Sequence, residues 1–157
     1  MAIQRITAGR AAAVITLALS LAVVFEGNSP KAYMDRLPAN PTPTACAGHT
    51  GPDVHVGVTY SQAQCDAWAR ADMATANATV HRCIRAPMKP YQEAALTDAV
   101  YNVGPAIVCG STLQRYANAG QWSAACQQLT RWVYAGGKEL PGLVRRRHAE
   151  RDMCEGH

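Results

Sequence analysis

The first pattern along the chain is an unbroken apolar run. Ala11 to Phe25 (AAAVITLALSLAVVF) contains no charge, and the ten residues ahead of it carry Arg5 and Arg10 but no acid. A basic flank followed by an apolar stretch is the pattern of a segment that directs export. Fifteen residues make a helix of about 22 Å at 1.5 Å per residue, short of the ~30 Å hydrocarbon core of a bilayer. Five of them are alanine, and Thr16 and Ser20 are polar. Three readings follow: a cleavable signal with Ser20-Leu21-Ala22 as its processing site, a weak membrane anchor, or a buried core helix. Gly27 and Pro30 predict where the helix ends.

The pattern then changes twice. Residues 31–60 are rich in Pro, Gly and Thr, and the prolines forbid helix. Short strands and turns are expected, with Val54, Val56 and Val58 alternating as in a strand. From Ser61, a predicted N-cap, the period becomes helical: one helix to about Ile84, broken by Pro87 and Pro90, and a second over Tyr91–Val103 stopped by Gly104-Pro105. Shorter helices are predicted at 111–118 and 121–134. Gly136-Gly137 is expected to turn, and Leu143 to Cys154 to form a basic last helix. Trp68 and Trp132 are expected in the core.

Composition narrows the function. The 157 residues suit one domain, and 48% hydrophobic against 17% charged excludes global disorder. The net charge of +4 suits an anionic polymer or surface. No basic run is interleaved with aromatics, so nucleic acid is not an expected partner. Six cysteines without a Cys-x-x-Cys pair argue against a zinc ribbon or thioredoxin-like site and for three disulfides formed in an oxidising compartment. The five histidines form no H-E-x-x-H, which argues against a zinc peptidase. No metal or cofactor is expected.

Candidate chemistry begins at Glu26. A carboxyl at the end of an apolar helix is harder to ionise and suits a proton donor. Asp35 follows nine residues later in a polar, turn-rich segment where it would stay charged. Two carboxyls in contrasting surroundings are what glycoside hydrolysis needs, one as acid and one as base or nucleophile. Thr44 adds a hydroxyl that could hold an attacking water.

These residues carry a resemblance. Glu26-Gly27, Ala32-Tyr33-Met34-Asp35 and Thr44-Ala45-Cys46-Ala47-Gly48-His49-Thr50 resemble the phage-type lysozymes of glycoside hydrolase family 24. The likeness continues in Tyr101-Asn102-Val103-Gly104, in Arg131 to Leu143, and in Arg145-Arg146-Arg147 with Glu150-Arg151. Ordered motifs thus cover Glu26 to Cys154. The resemblance implies a mainly α (α+β) lysozyme-like fold, with a small β-hairpin subdomain, a helical domain and a preceding apolar helix. Residues 1–25 would be a signal-anchor segment and 26–157 the catalytic domain. The implied reaction is hydrolysis of the β-1,4 bond between N-acetylmuramic acid and N-acetylglucosamine in peptidoglycan, in an endolysin that lyses the host cell. Glu26 would be the general acid, Asp35 the carboxylate on the water side and Thr44 the water-holding hydroxyl.

One departure stands out. The family places its Thr six residues after the Asp. Here the interval to Thr44 is nine, with Pro41 at the family's position, which reads as a three-residue insertion in the hairpin. Thr42 is the other candidate hydroxyl, but Thr44 keeps register with Cys46, Gly48 and His49. Asn102, Lys138 and Arg145 are weaker candidates for substrate contact, and Arg145 to Arg147 could meet the anionic wall. For Asn102 a helix cap is an equal alternative, and His49 is expected to be structural. The resemblance also implies the pairs Cys46–Cys65 and Cys126–Cys154, leaving Cys83 with Cys109.

A lysozyme reading bears on the apolar run. Cleavage after Ala22 would leave three residues before Glu26 and remove the helix that positions the acid. Retention is therefore expected, as in signal-anchor-release endolysins. The enzyme would be exported, tethered to the host inner membrane through residues 11–25, then released into the periplasm. A monomer is expected. A catalytically inactive peptidoglycan-binding module is the alternative, and an anchored partner protein is a third reading that intact triad residues argue against.

Overall fold

The computed structural model describes residues 2–36 and 40–157, with side chains from Ala8 onward. Helix α1 spans Ala2–Glu26, longer than the apolar run alone predicts. Gly27, at φ +66°, ends it in the left-handed region that glycine enters without strain. A three-stranded antiparallel sheet follows: β1 Ser29–Asp35, β2 Thr42–Cys46 and β3 His49–Thr50, in that spatial order. Part of the expected insertion, residues 37–39, lies outside the described residues.

The helical part is α2 Gln62–Cys83, α3 Pro90–Val103, α4 Thr112–Asn118, α5 Trp122–Gln128 and α6 Pro141–Glu155. Ser61 caps α2 by accepting from the Gln64 N–H. The two-strand hairpin of β4 Tyr134–Ala135 and β5 Lys138–Glu139 turns at Gly136-Gly137. The architecture is the mainly α, lysozyme-like one, with a small sheet beside a helical body.

Helix α3 organises the body. Gln92 through Val100 are all buried, so it is wrapped by its neighbours on every side. Leu96 and Val100 pack with Val80 of α2, Ile84 just past its end, Leu113 of α4 and Leu129. Helix α1 lies against α2 and α3 along one narrow stripe. Val14, Ala18 and Ala22, four residues apart, meet Met73 and Ala94. Trp68 and Trp132 are half-buried at the edges of core clusters.

The disulfides join Cys46–Cys65, Cys83–Cys109 and Cys126–Cys154, the pairs the resemblance implied. The first ties the sheet to α2, and the third ties α5 to α6.

Two expectations need correction. The Val54, Val56 and Val58 strand is absent. Val54 is buried with Ala32 and Ala45, while Val56 and Val58 are exposed. Gly57, at φ +88°, breaks the pleat, and the segment leans on β1 through the irregular bonds Ala32 N–H to Val58 O and Gly57 N–H to Ala32 O. The expected 121–134 helix also ends early. It stops at Gln128, passes through a 3-10 turn Leu129–Arg131, and gives way to β4.

Candidate active site

The sheet and the helical body face each other across a cleft of about 370 Å³. Strand register sets its sheet wall in two rungs. Tyr33, Thr44 and Thr50 form one, and Asp35 with Thr42 the next. Side chains two apart on a strand share a face, so Asp35, Thr42 and Thr44 all line the cleft. Glu26 enters from the end of α1, and Tyr101 and Asn102 from the end of α3. Thr44 is 4% exposed. Its hydroxyl donates to the Thr42 carbonyl at 3.1 Å, which leaves the oxygen free to accept. Gly48 sits at φ +88° beside the acid. A Cβ there would stand 3.8 Å from Glu26 Oε2, so the φ rather than crowding calls for glycine.

The surroundings of Glu26 differ from the apolar setting that its sequence position suggests. Arg146 and Asn102 both donate to its Oε1, Asn102 at 3.2 Å. Arg146 is itself gripped by Asp98, with Nε and Nη2 on the two carboxylate oxygens at 3.0 and 2.8 Å. Burial opposes the Arg146 charge, but Asp98 and Glu26 outweigh it and hold the guanidinium more firmly protonated than an ordinary arginine. Asn102 accepts from Arg147 at 2.6 Å and lines the cleft from the last turn of α3, whose cap is Gly104. Both oxygen contacts fall on Oε1, which leaves Oε2 toward Gly48 and the cleft.

Tyr101 donates to the Ala47 carbonyl and ties α3 to the β2–β3 turn. Burial, then the Glu26 charge, pushes its phenol well above the usual tyrosine range. His49 Nδ1 donates to the Asp72 carboxylate (2.7 Å) and its ring stacks on Trp68 with centroids 4.3 Å apart, a structural placement. Lys138 and Arg145 are exposed and do not line the cleft, while Arg146 and Arg147 are buried rather than turned to the wall.

The cleft does not end at the carboxyls. Gly48, Thr50 and Tyr101 also border a neighbouring groove of about 320 Å³ that runs along Asp72, Thr75 and Thr79 of α2. A long, open, polar trough suits a polymer better than a small molecule.

Comparison with known proteins bears on this geometry. The phage lysozyme family matches residues 23–150. The chain belongs to that family. It is similar to a SAR-endolysin of Enterobacteria phage P21, at 42% identity over 111 residues, which are 71% of this chain and 67% of that protein. Among solved structures it is similar to the active form of the P1 phage endolysin Lyz, with a TM-score of 0.77 and 27% identity, covering 88% of this chain and 82% of that one. Against the secreted inactive form of the same endolysin the TM-score falls to 0.52, at 26% identity over 66% and 74% of the two chains. The arrangement seen here is thus nearer to the active form. Membership makes the chain a glycoside hydrolase of the lysozyme type.

The sequence singled out Glu26, Asp35, Thr42 and Thr44, and all four line one cleft. It gave no role to Asp98 and left Arg146 only a wall-facing one. Arg146 lies 120 residues from Glu26, and no local spacing couples such a pair. The adjacent arginines Arg145 to Arg147 were the one available signal.

Proposed function

We propose that this chain is an endolysin cleaving the β-1,4 bond between N-acetylmuramic acid and N-acetylglucosamine. Glu26 Oε2 protonates the leaving oxygen. Asp35 takes a proton from the attacking water. Thr44, whose own proton is committed to the Thr42 carbonyl, accepts the water's second hydrogen bond and aims its lone pair at the anomeric carbon. The observation that carries this reading is the meeting of both carboxyls and the threonine hydroxyls in one trough. A binding-only module would not need them, so the inactive alternative is not favoured. The test is turbidity clearing of purified peptidoglycan, with Glu26→Gln as the control. An active Glu26→Gln variant refutes the assignment. Inversion is the expected outcome, which calls for carboxyls ~6.5–9.5 Å apart with a water between. NMR of the first-formed anomer decides it.

We further infer that residues 11–25 tether the chain to the host inner membrane before release into the periplasm, with 26–157 as the catalytic unit. Ala8–Glu26 is long and apolar enough to cross a bilayer, with a mean hydropathy of 2.0. The similar SAR-endolysin supports the same history. The segment is weakly retained by its composition, and Arg10 must cross for escape, which costs a few kcal/mol on insertion scales. Loss of membrane potential removes ~2.3 kcal/mol per 100 mV on that charge. Replacing Ala12, Thr16 and Ser20 with Leu is expected to delay lysis without blocking export. Lysis on the unaltered schedule, or a mature N-terminus at Val23, overturns this inference.

A further inference from the structure

Two tyrosines line the cleft, and the structure uses them differently. Tyr101 is half-buried, and its hydroxyl is committed to the Ala47 carbonyl. Tyr33 is 44% exposed. Among the described residues no hydrogen bond, ring contact or cation engages its side chain. A single exposed aromatic is ordinary on a protein surface. What sets Tyr33 apart is where its exposure falls.

Strand register places Tyr33 in the rung of Thr44 and Thr50, on the same face as Asp35 two residues later. Two residues along a strand span about 7 Å, so the ring stands beside the carboxylate and not over it. The other groups around it are polar. Glu26, Asp35, Thr42, Thr44 and Asn102 bring oxygens and N–H groups to the cleft. Such groups suit the hydroxyl and acetamido groups at the edge of a sugar. They offer nothing to its apolar C–H face. A pyranose has both an edge and a face, and a tyrosine ring packed on the face removes apolar area from water on both partners. The hydroxyl tip meanwhile stays in water. Polar groups that orient and one aromatic surface that packs are together the lining of a ligand site.

We propose that Tyr33 is the sugar platform of this cleft. Its ring packs on the C–H face of a glycan sugar next to the bond that is cut, and so sets how the strand of sugars passes Glu26 and Asp35. Tyr33 moves no proton and forms no bond. It binds and orients only. The ligand is the N-acetylated β-1,4 glycan of the proposed reaction, and the inference rests on that reading of the cleft.

The test is titration calorimetry of soluble, uncrosslinked peptidoglycan strands on the full chain in a Glu26→Gln background. Tyr33→Ala is expected to bind about tenfold more weakly, and Tyr33→Phe to stay within about twofold of the Glu26→Gln parent, because the ring carries the contact. Equal binding by Tyr33→Ala overturns the proposal. A loss in Tyr33→Phe as large as that in Tyr33→Ala also overturns it, since the hydroxyl would then be the contact. Should Tyr33→Ala fail to fold, NMR of the Glu26→Gln chain with Tyr33 in place decides instead. Saturating the Tyr33 ring protons is expected to transfer to sugar C–H protons. No transfer, or transfer to the stem peptide alone, overturns the platform. The same titrations separate this inference from the reading beneath it. If the Glu26→Gln chain binds no strands, the glycan reading falls and the platform with it. If it binds them and Tyr33→Ala binds equally well, only the platform falls. If Glu26→Gln clears peptidoglycan, the acid assignment falls, and the KM values of Tyr33→Ala and Tyr33→Phe in the otherwise unaltered chain decide the platform by the same ratios.

Discussion

The α1 interface and the α2–α6 core are held together by different means. The core packs Leu96, Ile107, Leu113 and Leu129 around Val80 and Val100, and the Cys83–Cys109 and Cys126–Cys154 bridges fasten it. Each bridge stabilises by roughly 2–4 kcal/mol, mostly by restricting the unfolded chain. Helix α1 buries one valine and two alanines along its stripe, and no disulfide reaches it. What α1 has instead is a polar contact at each end. Arg10 donates to the Met88 carbonyl and to Glu93, and Glu26 accepts from Arg146 and Asn102. The catalytic acid therefore sits on an element that no disulfide fastens and that three small buried side chains hold. Losing that helix is expected to disarm the site while the disulfide-fastened body stays folded.

The largest expected effect separates chemistry from folding. Glu26→Gln is expected to lose on the order of 10³-fold in peptidoglycan clearing, within the 10²–10⁴ span of acid catalysis. Its thermal midpoint should stay near that of the unaltered chain. A variant that loses activity because it unfolds would show that Glu26 anchors α1 more than it does chemistry.

Next comes the water side of the cleft. Thr44→Ala is expected to lower kcat by about 10-fold or more by removing the acceptor that orients the water. Thr42→Ala should cost less. The reverse order in kinetics would move the family's threonine role to Thr42 and shift the insertion by two residues.

The comparison sharpens in a pair of truncations. Leu96→Ala should destabilise the chain by roughly 2–5 kcal/mol. Val14→Ala should cost less, about 1–2 kcal/mol at ~0.8 kcal/mol per methyl group. Activity at a temperature where both stay folded should rank them the other way, because only Val14 belongs to the helix that carries the acid. Denaturant melts together with clearing rates check this. Equal activity losses per unit of stability would mean α1 is simply part of the core.

Much of this was legible in the sequence, and the limit has a physical cause. The Glu26, Asp35 and Thr44 constellation is readable because a helix end and one hairpin bring it together, and its spacing is local. Tyr91–Val103 reads as a helix because it runs without Gly or Pro between Pro90 and the Gly104-Pro105 stop. Helix α6 misleads. Its buried positions are Arg146, Arg147, Glu150 and Cys154, so the face that enters the core is charged. A hydrophobic pattern cannot find a buried ion cluster, and in the run Arg145 to Arg147 nothing in the sequence separates the exposed Arg145 from its buried neighbours. The valines at 54–58 mislead in the opposite sense, since alternation predicts a strand that Gly57 interrupts.

The smallest expected effect tests whether the polar end of α1 is a specific latch. Glu93 is buried on α3 and accepts from Asn77 at 3.0 Å, meets His81 Nε2 at 2.7 Å, and accepts from Arg10 at 3.1 Å. Burial raises its proton affinity, but Asn77, His81 and Arg10 together hold the carboxyl below its ordinary value of 4.5. A depressed acid contributes stability that is present above that value and is lost as pH falls through the lower, folded one. Hydrogen exchange of the α1 amides should therefore quicken below about pH 4.5, before the amides of α3 follow. In Glu93→Gln that acid-driven step should vanish. Arg10→Gln and Glu93→Gln with their double variant should give a coupling of about 0.5–1 kcal/mol, near the low end for touching pairs because Arg10 is half exposed. Zero coupling, with Glu93→Gln as protected at pH 7 as the unaltered chain, would leave the alanine stripe and the Glu26 contacts as the hold on α1. The Arg10 side of the helix would then be docked by shape alone, and there the contrast between the two regions would reduce to the size of their apolar side chains.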